Sequence, residues 1–371
     1  MEDGWHLDDH HRVLEAEIAS ALKRQGKSGI GAEELVPRVI DNVLPDITDL
    51  LYASLAKRSN QMLREHRKLR RGFVKRNWKR WREGFDLLER LIVISQETGS
   101  AINNALRSTA VAENDALFEV VISNHARAIQ VSREIFALMV AGFPDGALAR
   151  WRTLHEIAVV TFFISQAGKD VAEMYILHGH VTAYKRAKNY MEHHERANLD
   201  PIGQQEMEHL KVAHDEIVGR YGNKMKHDYG WAAVALEKAK PTFADLEVAT
   251  KLDHWRPRYK WSAINTHGAY RTMNSTLSTS ECEEPVLAVA ESNSGMTDPA
   301  HMTAISLNIA TTPVITFEAN LDRRAAAMVM QRLADEIGET FWRLDHKTYA
   351  KFQRAHQKRA RLRRLLWFRR S

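Results

Sequence analysis

Cysteine is almost missing from this chain. Cys282 is the only one among 371 residues, which excludes an intramolecular disulfide and any zinc site built on cysteines. Long apolar runs are missing too. Stretches such as residues 136–141 fall far short of the roughly 20 residues needed to span a bilayer. The opening Met1-Glu-Asp-Gly-Trp-His-Leu-Asp-Asp-His10 is acidic and lacks the basic-then-apolar order of a secretory signal. These absences lead us to expect a cytoplasmic protein. Strand signals are weak: residues 285–290 and 314–317 are short and isolated. We find no internal repeat, no glycine-rich phosphate loop and no Gly-x-Ser-x-Gly elbow, so the sequence does not declare a reaction.

What is present is helical periodicity. Apolar residues recur at three- and four-residue steps between charges, from Leu69 through Phe73, Trp81, Phe85 and Leu88. Pro45 and Thr48 mark a plausible helix start, and Gly99 with the Asn103-Asn104 pair a boundary near 100–115. Beyond Leu117 the helices become more apolar. The turn Gly142-Phe-Pro-Asp-Gly146 joins two of them, which implies an antiparallel pair. Further helices are expected over 171–195, 204–221, 241–249 and 259–276. Asp298-Pro299 reads as a helix start, and a long amphipathic helix begins near Leu321. The expected fold is all-α: an N-terminal helical region (1–115), a multi-helix bundle core (116–320) and a basic C-terminal helix (321–371).

The formal charge is +6, and the excess concentrates in residues 64–82 and 351–370. In the first segment Arg70, Arg71, Lys75, Arg76, Lys79 and Arg80 surround Trp78. Cations beside aromatic rings suit single-stranded nucleic acid, so RNA or single-stranded DNA is the expected partner. The alternative is that the tryptophans pack inward and the cations face water. The tail, 358–370, could equally lie on an anionic membrane surface as a peripheral contact. Oligomeric state is left open, with a homo-oligomer permitted.

Four residues form the candidate catalytic set. Arg152 and Glu156 are one turn apart inside the most apolar stretch, where an unpaired charge would cost roughly 3–5 kcal/mol. They are either a structural ion pair or an anion-holding arginine oriented by a carboxylate. Arg150 lies on another face of the same helix. Ser262 and His267 stand five apart, about 140° around a helix axis, which argues against a direct nucleophile pair. His267 could instead reach Arg152 or Glu156 from a facing helix; otherwise it is a buried, hydrogen-bonded histidine.

Arg220 and His227 have the spacing of the arginine and histidine in the HEPN group of helical ribonucleases, although Gly222 between them can break the helix. Histidine clusters do not read as metal sites. His178/His180 and His193/His194 lack the i, i+4 placement of a shared helix face, and Glu206-Met-Glu-His209 has no second such pair. No metal and no cofactor are expected.

The order of these pieces resembles a bacterial family known as domain of unknown function 5677, over about residues 116–320. The resemblance rests on Gly142 followed by Arg152-Thr-Leu-His-Glu156, then Tyr229-Gly-Trp-Ala232, Ser262 to His267, and Gly295 to Pro299. It implies a mostly helical fold in which Arg152, Glu156, Ser262 and His267 meet, and it brings no activity. The expected function is an intracellular protein that acts on or binds nucleic acid. A metal-independent ribonuclease or toxin of the defence type would bind phosphate with Arg152, use His267 as acid/base and orient one of them with Glu156. The alternative is a non-catalytic binding or scaffold module whose polar cluster specifies packing. Whether the protein is an enzyme is left open.

Overall fold

The computed structural model describes residues 15–16, 19–20, 23–24, 32–266, 276–282, 286–317 and 320–367. From residue 32 on, nine α-helices and several 3-10 turns account for the regular structure; residues 15–16, 19–20 and 23–24 are also helical, and no strand occurs among the described residues. The helices are α1 (Ala32–Ala112), α2 (Ala116–Ala141), α3 (Pro144–Ala167), α4 (Lys169–His193), α5 (Gln204–Tyr221), α6 (Phe243–Ala249), α7 (Arg256–Ser262), α8 (Thr297–Ile315) and α9 (Leu321–Trp367). The fold is an all-α multi-helix bundle. It divides into two units, residues 1–75 and 76–371, with the boundary inside α1.

α1 begins earlier and ends later than the sequence implies. Pro37 and Pro45 lie inside it, and it runs unbroken past Gly99 and the Asn103-Asn104 pair. Asn103 is reconciled with helix because its Oδ1 accepts from the Arg107 side chain at 2.8 and 3.0 Å. In the first unit α1 is mostly exposed, with Tyr52 74% and Leu69 62% accessible. In the second unit Trp81, Phe85, Leu88 and Leu91 are fully buried, and Trp81 stacks on Phe341 of α9.

The core of the second unit is the α2/α3 hairpin, with α8 packed on both helices and α9 on α8. Its local signals are plain. Asp115 caps α2 by accepting from the Leu117 and Phe118 amides at 3.0 and 3.1 Å. Gly142 ends α2 at φ +91°, a left-handed conformation that favours glycine, and Pro144 opens α3. Asn77 of α1 donates through Nδ2 to the Met139 and Val140 carbonyls at 2.9 and 3.0 Å, adding side-chain donors to the last turn of α2. Trp151 of α3 donates to the Met302 carbonyl and to Ser306 of α8.

Two expected helices differ from what forms. α7 ends at Ser262 and passes into a 3-10 turn at 263–265, so it does not continue as one helix through the residues that follow. α8 starts at Thr297, one residue before Asp298, and continues through Pro313 to Ile315. The Asp298 carboxylate pairs with Arg258 at 2.8 Å.

Candidate functional site

The residues that converge are on α3, α6 and α7. α3 presents Arg152, His155 and Glu156 on neighbouring faces of successive turns. α6 opens with Thr242, whose amide donates to the Asp245 carboxylate at 2.9 Å, and it carries Phe243 and Glu247. α7 supplies Arg256 and Tyr259. Between them the chain turns at Tyr229-Gly-Trp231. Gly230 is required there, because any Cβ would collide with the Lys224 carbonyl oxygen. Trp231 is buried edge-on against Tyr175 and Phe163.

Arg152 and Glu156 do approach, but Tyr259 stands between them. The Arg152 guanidinium is 4.0 Å from Glu156 Oε1, a loose pair. It donates to the Tyr259 hydroxyl at 2.9 Å and to Thr266 Oγ1 at 3.1 Å, and it lies 4.3 Å above the Tyr259 ring. The Tyr259 hydroxyl in turn donates to Glu156 Oε1. Burial, reinforced by the Glu156 hydrogen bond, pushes the Tyr259 phenol up to about 12, so it remains a donor at neutral pH. Tyr229 is also pushed up, by burial first and then by the charge of Glu156. The pair is more open than the apolar sequence around it implies: the Arg152 side chain is 19% exposed and that of Glu156 40%.

Behind this layer lies a buried one. Glu247 is fully buried and accepts from Arg256 and from His155 Nε2, the latter at 3.1 Å. His155 is itself buried between the Trp151, Phe243 and Tyr259 rings. This ionic layer was legible in principle. Glu247 occupies a core position of the stripe Phe243, Leu246, Glu247, Thr250, and His155 one of the stripe Leu148, Trp151, His155, Ala158.

The remaining sequence candidates are placed as follows. Ser262 is fully buried, and its hydroxyl is spent on the Tyr259 carbonyl at 2.8 Å. His267 lies outside the described residues. Arg220 is exposed at the end of α5, and Gly222 breaks the helix before His227, at φ +87°. Arg150 pairs with Glu134 across the hairpin. Among the described residues no group of three or more His, Cys, Asp or Glu is placed to hold a metal ion. A cavity of about 340 Å³ borders the cluster, sharing Tyr229 and Phe243 with it and adding Lys226 and Lys240.

In the basic segment the structure separates two kinds of residue. Arg80 is only 7% exposed and binds Glu281 and Asp345. Trp78 is half-buried against Phe85 and Phe136, and Trp81 donates to the Asn293 carbonyl. By contrast Arg70, Arg71, Lys75, Arg76 and Lys79 are all exposed on α1.

Residues 118–284 match the model of a family of unknown function, DUF5677. That span contains Arg152, His155, Glu156, Tyr229, Glu247, Arg256 and Tyr259, so the convergent cluster lies wholly within the DUF5677 match. The Gly295-to-Pro299 loop, α8, α9 and the basic segment of α1 lie outside it. No curated protein and no solved structure matches the chain. No helix among the described residues is long and apolar enough to cross a membrane.

Proposed function

We propose that the protein binds nucleic acid through phosphate contacts along one face of α1, and that the Arg152 cluster serves the fold. The observation that carries this reading is a register. Arg64, Lys68, Arg71 and Lys75 follow one another at steps of four, three and four residues, which keeps them on one helix face over about 16 Å. Lys79 and Arg82 continue the same register in sequence. Lys68, Arg71, Lys75, Arg76 and Lys79 are exposed and have no carboxylate partner among the described residues. A row of unpaired cations is what releases counterions from a polyphosphate. With the tryptophans turned inward, the reading rests on phosphate contact alone.

Binding is tested by fluorescence anisotropy with labelled single-stranded RNA, single-stranded DNA and duplex DNA at two salt concentrations. With four contacts, the logarithm of affinity for a single strand should fall with that of salt at a slope of about −3. The double variant Arg71→Glu/Lys75→Glu should bind weakly and flatten that slope. Binding that is insensitive to salt, or unchanged in this variant, overturns the proposal.

One observation favours a second reading, cleavage. Arg152 bonds Thr266, the residue immediately before His267, and leaves Glu156 partly exposed beside it. A ribonuclease of this kind would cut RNA in the presence of EDTA and lose that activity in His267→Ala. Binding without cleavage would leave the first reading standing alone.

A further inference from the structure

A second cavity, of about 350 Å³, lies at the packed faces of α2 and α4 and shares no lining residue with the Arg152 cluster. Its wall includes Asn124 from α2 and Tyr175, His178, Gly179, Thr182 and Arg186 from α4. Its polar groups do not satisfy one another. Asn124 Nδ2 is shielded from water and has no hydrogen-bond partner, a state that costs about 1–3 kcal/mol. Arg186 is exposed and has no ion-pair partner among the described residues. Glu119, the carboxylate in the same wall, is already engaged by Arg107.

The histidine adds the opposite polarity. His178 Nε2 stands 2.8 Å from the His227 carbonyl oxygen, so that nitrogen carries the proton and donates. Nδ1 is then left with a lone pair. Thr182 lies 3.4 Å away from it but gives its only hydroxyl proton to the His178 carbonyl, at 2.8 Å. Burial holds His178 below the usual imidazole range, which keeps the ring neutral and Nδ1 an acceptor at neutral pH.

We propose that this cavity binds a metabolite-sized organic anion that carries an N–H or O–H donor of its own. Arg186 takes the anionic oxygens and His178 Nδ1 takes the donor, and the unpartnered Asn124 amide joins Arg186 once its side chain turns into the cavity. The volume is at the lower end of the range for small-molecule pockets, which admits a small metabolite and no folded partner. Planar guanidinium geometry suits carboxylate and phosphate alike, so the anion's identity is left to the experiment.

Gly179 makes the proposal testable. A Cβ built there meets no atom within 4 Å, so a side chain projects into open space and the backbone need not move. Gly179→Leu therefore plugs the cavity, and leucine favours the helix more than glycine does. Isothermal titration calorimetry on the full chain with adenosine monophosphate and with tartrate separates a phosphate ligand from a carboxylate one. Wild type should bind at least one probe with Kd below about 1 mM, and both Gly179→Leu and Arg186→Ala should weaken it about tenfold or more with unchanged melting curves. Failure of both probes to bind wild type overturns the proposal. So does binding by Gly179→Leu that equals wild type.

Discussion

Glu247 and His155 face each other at 3.1 Å with neither side chain reaching water. Glu247 also takes the Arg256 guanidinium, which is one-third exposed and brings the carboxylate its charge partner. The two residues come from helices separated by some ninety positions in the chain and pin α6 to α3. A carboxylate placed so deeply is tolerated only while both partners hold it.

Glu247→Ala should therefore be among the most damaging single changes in the second unit. Removing one member of a buried ionic group leaves the others uncompensated, at a cost of about 3–5 kcal/mol. The midpoint of urea denaturation should fall accordingly. Glu247→Gln, which keeps a hydrogen-bond acceptor, should fall less. A Glu247→Ala midpoint equal to wild type would mean that this layer contributes no net stability.

Tyr259→Phe keeps the ring beneath Arg152 and removes the hydroxyl that links Arg152 to Glu156. The expected loss is about 1–3 kcal/mol, since two hydrogen bonds disappear at a partly buried position. The same hydroxyl predicts a pH response. Its folded value, about 12, lies above the ordinary 10, so the unfolded chain loses this proton first. The contribution to stability is complete below pH 10 and is lost as pH rises from there through about 12. Spectrophotometric titration should show one fewer late-ionising tyrosine in the variant, with Tyr229 remaining.

His125 predicts the acid limb. Burial lowers its imidazole from 6.5 to about 4, and its Nε2 meets only Thr311, at 3.2 Å. The unfolded chain binds a proton that the folded chain refuses. Stability should therefore decline as pH falls from about 6.5 to 4, by about 3 kcal/mol from this group. Gly99 packs so closely on the ring that a Cβ would strike it. His125→Gln should flatten the decline between pH 6.5 and 4 in thermal melts.

Arg80 and Lys75 should separate stability from binding. Arg80 is nearly buried and binds Glu281 and Asp345, and burial together with Glu281 already holds the Asp345 carboxyl above its usual range. Arg80→Ala should cost about 3 kcal/mol and leave the salt slope of nucleic-acid binding unchanged. Lys75→Ala should do the reverse, lowering that slope with no shift in melting temperature. Equal effects of the two on binding would dissolve the distinction.

The helices were legible because periodicity and caps act locally. Gly142 and Pro144 each set their own few residues, and the structure follows them. Helix ends failed where a break signal was compensated: Asn103 is held by Arg107 one turn on in the same helix, and Pro313 was accommodated at the buried end of α8. Spacing brought Arg152 and Glu156 to one face, but nothing local could announce that Tyr259 comes between them. Contacts between residues a hundred positions apart leave only a faint mark, such as an acid in a core stripe. For the same reason the basic segment looked uniform. Whether Trp78 and Arg80 turn inward depends on Phe136, Glu281 and Asp345, which are remote in sequence.

The hairpin turn between α2 and α3 also holds a distant loop. Asp145 accepts from the Leu277 and Ser278 amides at 2.9 and 3.0 Å, and the Gly142 carbonyl accepts from Ser292 at 2.9 Å. A hairpin of neighbouring helices forms without closing a long loop, whereas these bonds close loops of more than a hundred residues. The turn is thus ready early in folding, and the loop can be captured only after it. In native-state hydrogen exchange, the Leu277 and Ser278 amides should open without unfolding the hairpin, and Asp145→Ala should speed their exchange while leaving the amides of α2 protected.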